Sequence, residues 1–549
     1  MVTKNINKTL PNGVHRYHIR LLGLITLLWF SNATAHEIIT RVSVDADGVG
    51  GNRSSKSPAI SADGRYIAFQ SDATNLVADD NNGFTDIFVY DRQTRQTRRV
   101  SVSSTGAEGD FVSFFPAISS YGRYVAFQSD ATNLVEDDNN RTTDVFVFDQ
   151  KTRLTKLVSV SSSGEPGDST SSEPVISANG QYVAFHSRAT NLVNKDTNKD
   201  VDVFVHDRKT GETTRVSIDS DGKQAIGTSF GAAISTDGRY VAFSSNAANL
   251  VNSDKNNTMD VFVHDRETGE TTLVSLSSNG KQGEASSFDS ALSADGRYVA
   301  FTSRATTLVD DDTNEVEDIF VHDRESAETV RVSVDSTGQQ ANERSFAATL
   351  STDGRYVIFN SDASNLVADD DNNSTDVFIH DRQTGQTRRL TLVSQSNSYT
   401  PASSYAPAIS DDGRWVAFES KAWNLVANDL NDTSDIFIYD RAYYASYEVS
   451  TGVLYIPVLK TIPDLKLFRA KLYVVPDSKH SQFVLDSKSA FLIPLSNIPA
   501  SYTRETRELH LPEVEVFNPP KLRRFEVRMT TDSEMSVFTV TERIEIEKP

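Results

Sequence analysis

The chain has 549 residues, no cysteine, and 75 acidic against 54 basic residues, giving a formal charge of −21. The lack of cysteine excludes disulfides, a thiolate nucleophile, Cys-ligated zinc and a lipid-modified N-terminal Cys. The acidic balance disfavours nucleic-acid phosphates and anionic membrane surfaces and favours cations or basic partners, though the same charge also keeps a large β protein soluble.

Residues 1–35 read as a signal peptide. Lys4, Lys8, Arg16 and Arg20 precede an apolar run from Leu21 to Phe30, and Ala33-Thr34-Ala35 is a small-residue cleavage site. A membrane span needs about 20 apolar residues, more than this run supplies. No later stretch is apolar enough to span, so the expected product is exported, periplasmic or extracellular.

A repeat follows. The glycine of a Ser-x-Asp-Gly-Arg-Tyr segment recurs at Gly64, Gly122, Gly180, Gly238, Gly296, Gly354 and Gly413, at spacings of 58 five times and then 59, with Tyr121 and Asn179 in place of the Asp in two copies. Such regularity marks tandem duplication. In the first copy four apolar, β-branched or aromatic runs, Pro58–Ser61, Arg65–Gln70, Asp86–Asp91 and Arg98–Ser103, are separated by turn residues. Asp63-Gly64 suits a tight turn between the first two runs, because glycine accepts positive φ. Asp-Arg-x-Thr-Gly, as at Asp207–Gly211, does the same between the third and fourth.

The third run is apolar on both sides, with Ile87 and Val89 on one face and Phe88 and Tyr90 on the other. Its sheet must therefore be covered on both faces. Four-stranded units stacked around an axis meet that need. Arg41-Val42-Ser43-Val44 matches a fourth run with no preceding three, while the seventh copy departs from the pattern after Arg441. The N-terminal strand is thus expected to complete the last unit and hide its edge. The expected fold is an all-β, seven-bladed β-propeller over 36–445. Beyond it, runs such as Val453–Val458 and Phe525–Met529 lose the repeat and indicate a small C-terminal β-sandwich-like domain over 446–549, with Asn518-Pro-Pro520 as a turn or linker between strands.

Segments such as Ile234–Phe243 followed by Asp260–Arg266 resemble the WD40-like PD40 repeats of the TolB propeller family, over roughly residues 40 to 442. The resemblance implies an envelope propeller that binds proteins or other ligands through its faces. The chain departs from TolB in having no α/β domain ahead of the propeller and in its longer loops between the second and third strands.

In a meander blade the first–second and third–fourth turns share one face. Here these are short, and the connections on the opposite face are long, so function is expected on that opposite face. The long loop carries Asp-x-Asn-x-x-x-Asp in every copy: Asp80/Asn82/Asp86, Asp138/Asn140/Asp144, Asp196/Asn198/Asp202, Asp254/Asn256/Asp260, Asp312/Asn314/Asp318, Asp370/Asn372/Asp376 and Asp429/Asn431/Asp435. Clustered Asp and Asn oxygens suit a hard cation such as Ca²⁺, and they equally suit Asx turns that order a loop before a strand. An EF-hand is excluded, because the following strand of about 16 Å carries the twelfth-position aspartate away from the loop.

Of the remaining motifs, Ala-Thr-Asn-Leu-Val (Ala73–Val77 and its copies) reads as loop packing. His206, His264, His322 and His380 share a position with Tyr90, Phe148 and Tyr439, which marks packing between blades rather than ligation. Neighbouring Asp-Arg pairs such as Asp265-Arg266 are expected to tie blades together. Ser55, Ser113, Ser171, Ser229, Ser287, Ser345 and Ser404 open the channel-lining strands, with Phe114, Phe230, Phe288, Phe346 and Tyr405 next in five copies. Two readings fit these aromatics, blade packing and a ligand platform. Glu173 and Asp289, one step further, are the only candidates for paired-carboxylate catalysis. Serine-hydrolase elbows, His-Glu-x-x-His and phosphate-binding glycine loops are absent.

The sequence therefore points to an exported, monomeric, non-catalytic binding propeller with an envelope or extracellular protein or glycan as partner and Ca²⁺ as the candidate cofactor. The alternatives are a carbohydrate hydrolase using Glu173 and Asp289, and a purely structural surface protein.

Overall fold

The computed structural model describes residues 39–391 and 403–441, except 369, 427, 428 and 430, together with the backbone of strands between Ala445 and Glu545. The signal-peptide segment lies outside the described residues. No described helix is long and apolar enough to cross a membrane.

After a short strand β1 (Ile39–Arg41), the first blade is an antiparallel meander of β2 (Ser55–Ile60), β3 (Tyr66–Ser71), β4 (Asp86–Asp91) and β5 (Gln96–Arg99). Strands β6 to β25 (113–389) repeat it five times. The seventh sheet holds β26 (Ser404–Ile409), β27 (Trp415–Ser420), β28 (Asp435–Asp440) and, as its outer strand, β1. Ile39 pairs with Tyr439 and Arg41 with Phe437, so the N-terminal strand closes the ring.

Each blade is apolar on both faces. Phe69 and Phe88 are fully buried and face each other across the β3–β4 ladder, with ring centroids 6.0 Å apart. The pair recurs in every blade. Core clusters straddle blade boundaries: Ala184, Val203 and Val205 of blade three pack with Val241, Phe243 and Phe262 of blade four. Closure follows the same rule, with Val42 and Val44 packed among Ile67, Phe69, Ile436 and Ile438. Burying each phenylalanine stabilises by about 2–3 kcal/mol, and neither face could be left to water.

The repeat motif works across blades. The glycine of one blade packs on the tyrosine of the one before, Gly122 on Tyr66 and Gly180 on Tyr124, where a Cβ would collide with the ring. Arg266 lies 4.4 Å over the Tyr182 ring of the preceding blade, while Asp265 holds Arg239 of its own. His264 is buried and hydrogen-bonded through Nδ1 to Thr271 Oγ1 at 2.9 Å, and His206, His322 and His380 do likewise.

The third strand keeps its expected limits, the second shifts by one residue to Tyr66–Ser71, and the first and fourth shift further. The fourth strand ends at Arg99 rather than Ser103, because the Ser101 hydroxyl donates to Asp86 Oδ1 at 2.5 Å and accepts the Ile87 amide at 3.0 Å, displacing the backbone ladder. The first strand starts at Ser55, ahead of Pro58, and bulges between Lys56 and Ala59. Beyond the propeller, nine strands pair as one sheet: Val453–Ile462 bonds both Leu467–Val474 and Ala500–Thr503, and the hairpin expected at residues 518–520 joins Asn518 to Lys521.

Candidate functional site at the channel mouth

The innermost strands of neighbouring blades touch around the axis, and the two ends of the channel they enclose differ. At the short-turn end, Ile60, Ile118, Ile176, Ile234, Leu292 and Leu350 converge on about 150 Å³ of space. Backbone bonds link the blades in series there, Ala62 N to Ser120 O, Ser120 N to Ala178 O, and onward through Thr236, Ala294 and Thr352. Asp411 N to Ala62 O ties blade seven to blade one. That end joins an apolar ring to backbone links between blades, and Ser120, Thr236, Thr352 and Asp411 line it as well.

The long-loop end is polar. The third residue of every innermost strand, Ser57, Phe115, Glu173, Gly231, Asp289, Ala347 or Ala406, has a φ between 48° and 63°. Only one of the seven is glycine, so six blades hold a non-glycine residue in the left-handed region, a strain that clusters at functional sites. In three blades a side chain from the preceding blade caps the bulge amide. Gln70 Oε1 accepts from Phe115 N at 3.0 Å, Gln128 Oε1 from Glu173 N at 2.8 Å, and Glu419 Oε2 from Ser57 N at 2.8 Å.

The four intervening blades carry His186, Ser244, Thr302 and Asn360 at the capping position. His186 Nδ1, Ser244 Oγ, Thr302 Oγ1 and Asn360 Oδ1 are buried and have no hydrogen-bond partner. Ser244 and Thr302 are fully buried and Asn360 is 1% exposed. Each such atom costs roughly 1–3 kcal/mol if left unpaired. One arc of the mouth, blades three to six, therefore presents unspent donors and acceptors.

Glu173 and Asp289 stand on this arc. Burial in the concave mouth raises the Glu173 pKa, and burial together with the Glu173 charge raises that of Asp289. The channel thus brings the two sequence candidates within electrostatic reach of each other. Between blades three and four, Glu173, His186, Arg188, Val201, Thr228 and Phe230 line a cavity of about 270 Å³. His186 Nδ1 lies 3.7 Å from Glu173 Oε2, beyond hydrogen-bond reach. Desolvation lowers the imidazole pKa to about 4, so at neutral pH it is uncharged and the contact is no ion pair. The serines that open the strands are structural: Ser113 Oγ donates to Ser129 Oγ at 2.9 Å, and each blade repeats the bond. Phe230, Phe288 and Phe346 are half-buried beside the arc.

Sequence reasoning missed the capping position. Its signal is the most variable residue inside a nearly constant Tyr-Val-Ala-Phe-x-Ser strand, which reads Gln, Gln, His, Ser, Thr, Asn and Glu in successive blades, whereas Ile67, Ile358 and Trp415 are the only other departures.

The Asp-x-Asn-x-x-x-Asp loops lie on the same end and have internal partners. All seven asparagines close Asx turns. Asn82 Oδ1 accepts the Phe84 amide, and the Oδ1 atoms of Asn140, Asn198, Asn256, Asn314, Asn372 and Asn431 accept the amides of Thr142, Asp200, Thr258, Val316, Ser374 and Thr433. Their Nδ2 atoms are spent as well. Asn82 donates to Asp86 Oδ2 and Gly109 O, Asn140 to Asp144 and Gly167 O, and Asn198 to Asp202 Oδ2 at 3.2 Å and Ala225 O at 3.0 Å. Asn256 donates to Gly283 O, and Asn314 to Asp318 and Ala341 O. Asn372 donates to Asp376 Oδ2 at 2.8 Å, and Asn431 to Asp435 Oδ2 at 2.8 Å and Gly51 O at 2.7 Å. Of the two roles the sequence allows these asparagines, Ca²⁺ ligation and Asx turns, the hydrogen bonds supply the second. Their amide oxygens hold the turns, and their amide nitrogens, which cannot bind a cation, are the atoms that meet the loops' carbonyls and carboxylates.

The aspartates meet protein cations in most loops. Arg99 NH1 reaches Asp80 Oδ1 and Asp86 Oδ2, both at 3.4 Å. Arg215 does this for Asp196 and Asp202, Arg389 for Asp370 and Asp376, and Arg41 for Asp429 and Asp435. Arg331 reaches Asp312. In blade four Leu273 replaces the arginine, and Gln282 Nε2 donates to Asp254 Oδ1 at 2.8 Å and Asp260 Oδ2 at 2.9 Å. Blade two has Asp138 and Asp144 with Leu157 in place of the arginine. Desolvation pushes Asp86, Asp144 and Asp318 up to about 6. Among the described residues no group of three or more His, Asp or Glu converges as a metal cluster.

Fold and site together define a seven-bladed β-propeller whose long-loop channel end carries the uncapped polar arc. Solved structures with a similar architecture include an oligogalacturonate lyase in complex with manganese, at 13% identity and TM-score 0.45 over 73% of this chain and 92% of that one. TolB from Acinetobacter baumannii matches at 14% identity and TM-score 0.33, over 74% of this chain and 77% of its own. The β-propeller domain of the trilobed protease from Pyrococcus furiosus matches at 10% and 0.44, over 71% and 95%. The likeness is one of propeller fold and carries no activity or partner to this chain. No protein-family model matches the chain, and neither does any curated protein.

Proposed function

We propose that this chain is an exported, non-catalytic binding propeller that takes a hydroxyl-rich ligand, a glycan of the envelope or extracellular space, at the long-loop channel end over blades three to six. The observation that carries this reading is the uncapped arc: His186, Ser244, Thr302 and Asn360 hold buried polar atoms without partners where Gln70, Gln128 and Glu419 close the other blades. A sugar, whose hydroxyls both donate and accept, satisfies such a mixed set, and half-buried aromatics beside it suit the apolar faces of pyranose rings. The test is to supply the missing caps. Ser244→Gln/Thr302→Gln reproduces the arrangement of blades one and two. Calorimetry against the ligand found on a glycan array should show at least about a tenfold loss for this variant. Unchanged affinity would remove the arc from the reading.

A second reading rests on one observation, the upward shift of both Glu173 and Asp289. A carboxyl whose pKa is raised keeps its proton to higher pH, as a general acid in glycan cleavage must, though the 47% exposed Glu173 side chain moderates the effect. Turnover of the bound glycan that disappears in Glu173→Gln/Asp289→Asn would favour this reading. Binding without product would leave the non-catalytic one.

A further inference from the structure

Six of the seven Asp-x-Asn-x-x-x-Asp loops place a nitrogen donor at one spot, facing the Oδ1 of the first aspartate. The donor is Arg99, Arg215, Arg331, Arg389 or Arg41 in five loops and the Gln282 amide in blade four. Blade two lacks both devices. Its fourth-strand residue is Leu157, and the position that holds Gln224 or Gln282 in blades three and four is Pro166. Asp138 is 6% exposed, and its Oδ1, the oxygen that meets the donor in the sister loops, has no partner. Asp144 is fully buried and receives only Ser159 Oγ and Asn140 Nδ2, both at 2.6 Å. Neither carboxylate has an ion pair, and Asp110 and Asp137 add negative charge beside them. Thr142 Oγ1 is also buried and unpaired, as are Thr258 and Thr433 of other loops, and Asp80 and Asp312 Oδ1 likewise lack a hydrogen bond; but each of those two oxygens lies 3.4 Å from an arginine nitrogen, and Asp138 Oδ1 has neither.

We propose that the blade-two loop takes a free hard divalent cation of the calcium class at the point its sister loops fill with arginine or glutamine. Two carboxylates without a cation in a low-dielectric setting are unfavourable, and the sister loops show that the fold puts a positive or donating group there. Leu157 pairs with Phe146 at the strand position where Arg99 pairs with Phe88, and it brings no positive charge to these carboxylates. The ligands are the carboxylate oxygens of Asp138 and Asp144, with no imidazole or thiolate, which selects a hard ion. With only two carboxylates, water must complete the shell, so the affinity belongs to the weak range, about 0.1–1 mM.

The experiment is calcium titration of the full chain by calorimetry, with melting curves in EDTA and in 5 mM (about tenfold the expected Kd) CaCl₂. One ion per chain is expected, with a melting temperature several degrees higher in calcium. Leu157→Arg restores the internal clasp and should abolish the calcium response while melting in EDTA no lower than the parent. Asp138→Asn should weaken binding at least about tenfold. No binding up to about 10 mM, several equivalent ions per chain, or a calcium response retained in both variants would each overturn the assignment. The two variants act oppositely on the empty loop, so a folding defect in one does not spoil the comparison.

Discussion

Gln128 of blade two accepts the backbone amide of Glu173 in blade three at 2.8 Å, and one blade on, Nδ1 of His186 in the same position has no hydrogen-bond partner. The cap crosses 45 residues of sequence and fixes a left-handed bulge at φ 50°. Gln128→Ala uncaps a strained amide and should cost about 1–2 kcal/mol in urea unfolding. Ser244→Gln, which adds a cap for Asp289, should gain a comparable amount. Equal and opposite shifts in denaturation midpoint check both.

Gly122 has φ 72° and lies against the Tyr66 ring of the preceding blade. Gly122→Ala forces both an unfavourable φ and displacement of that ring, so a loss of about 2–4 kcal/mol is expected. Gly106, also at positive φ but with open space at its Cβ, isolates the backbone part, and Gly106→Ala should cost only about 1 kcal/mol.

Two arginines of the same blade type should behave very differently. Arg99 is 8% exposed and sits against the fully buried Asp86. Removing it as Arg99→Leu strands Asp80, Asp86 and Glu108 and should destabilise by about 3–5 kcal/mol. Arg123 is 43% exposed in its pair with Asp149, and Arg123→Ala should cost below about 1 kcal/mol. Chemical denaturation of both variants tests the contrast.

Desolvation lowers His264 to about 4, against 6.5 in its ordinary state. The unfolded chain therefore binds more protons between those values, and stability falls as pH drops from about 6.5 to 4, with the full contribution present above 6.5. Asp86, Asp144 and Asp318, raised to about 6, act in the opposite sense, since their protonated forms favour the fold below that pH. Comparing the parent with His264→Phe, the residue type at Phe148 of blade two, isolates the histidine. The variant should lose less stability between pH 6.5 and 4.5, and parallel curves would show that this imidazole does not couple to folding.

Strand β1 supplies the only covering for the outer edge of β28 among the described residues. Deleting residues 39–44 removes Val42 and Val44 from the core shared by blades one and seven, together with the Arg41 clasp on Asp429 and Asp435. Hydrogen exchange should rise first in 55–71 and 404–440, ahead of the opposite side of the ring. Uniform protection would mean that closure does not depend on this strand.

The blade count and the closing strand follow from sequence because they are written in local terms. The glycine period and the two-sided apolar runs need no knowledge of distant contacts. The Asx turns at Asn198, Asn372 and Asn431 are equally local, each spanning two residues, and the motif predicts them as readily as it does a cation site. The partners of the candidate site are another matter. Whether Asp80 and Asp86 meet a metal or a protein cation depends on Arg99 from the fourth strand, and the same Asp-x-Asn-x-x-x-Asp spacing in blade two has Leu157 instead. The uncapped arc depends on pairs such as Gln70 with Phe115, which lie in different repeats and become neighbours only when blades stack. Hydrophobic periodicity is a property of single strands and survives in the linear text. Satisfaction of a buried polar atom is a property of a pair, and here the two members come from separate blades, so tertiary packing alone decides it.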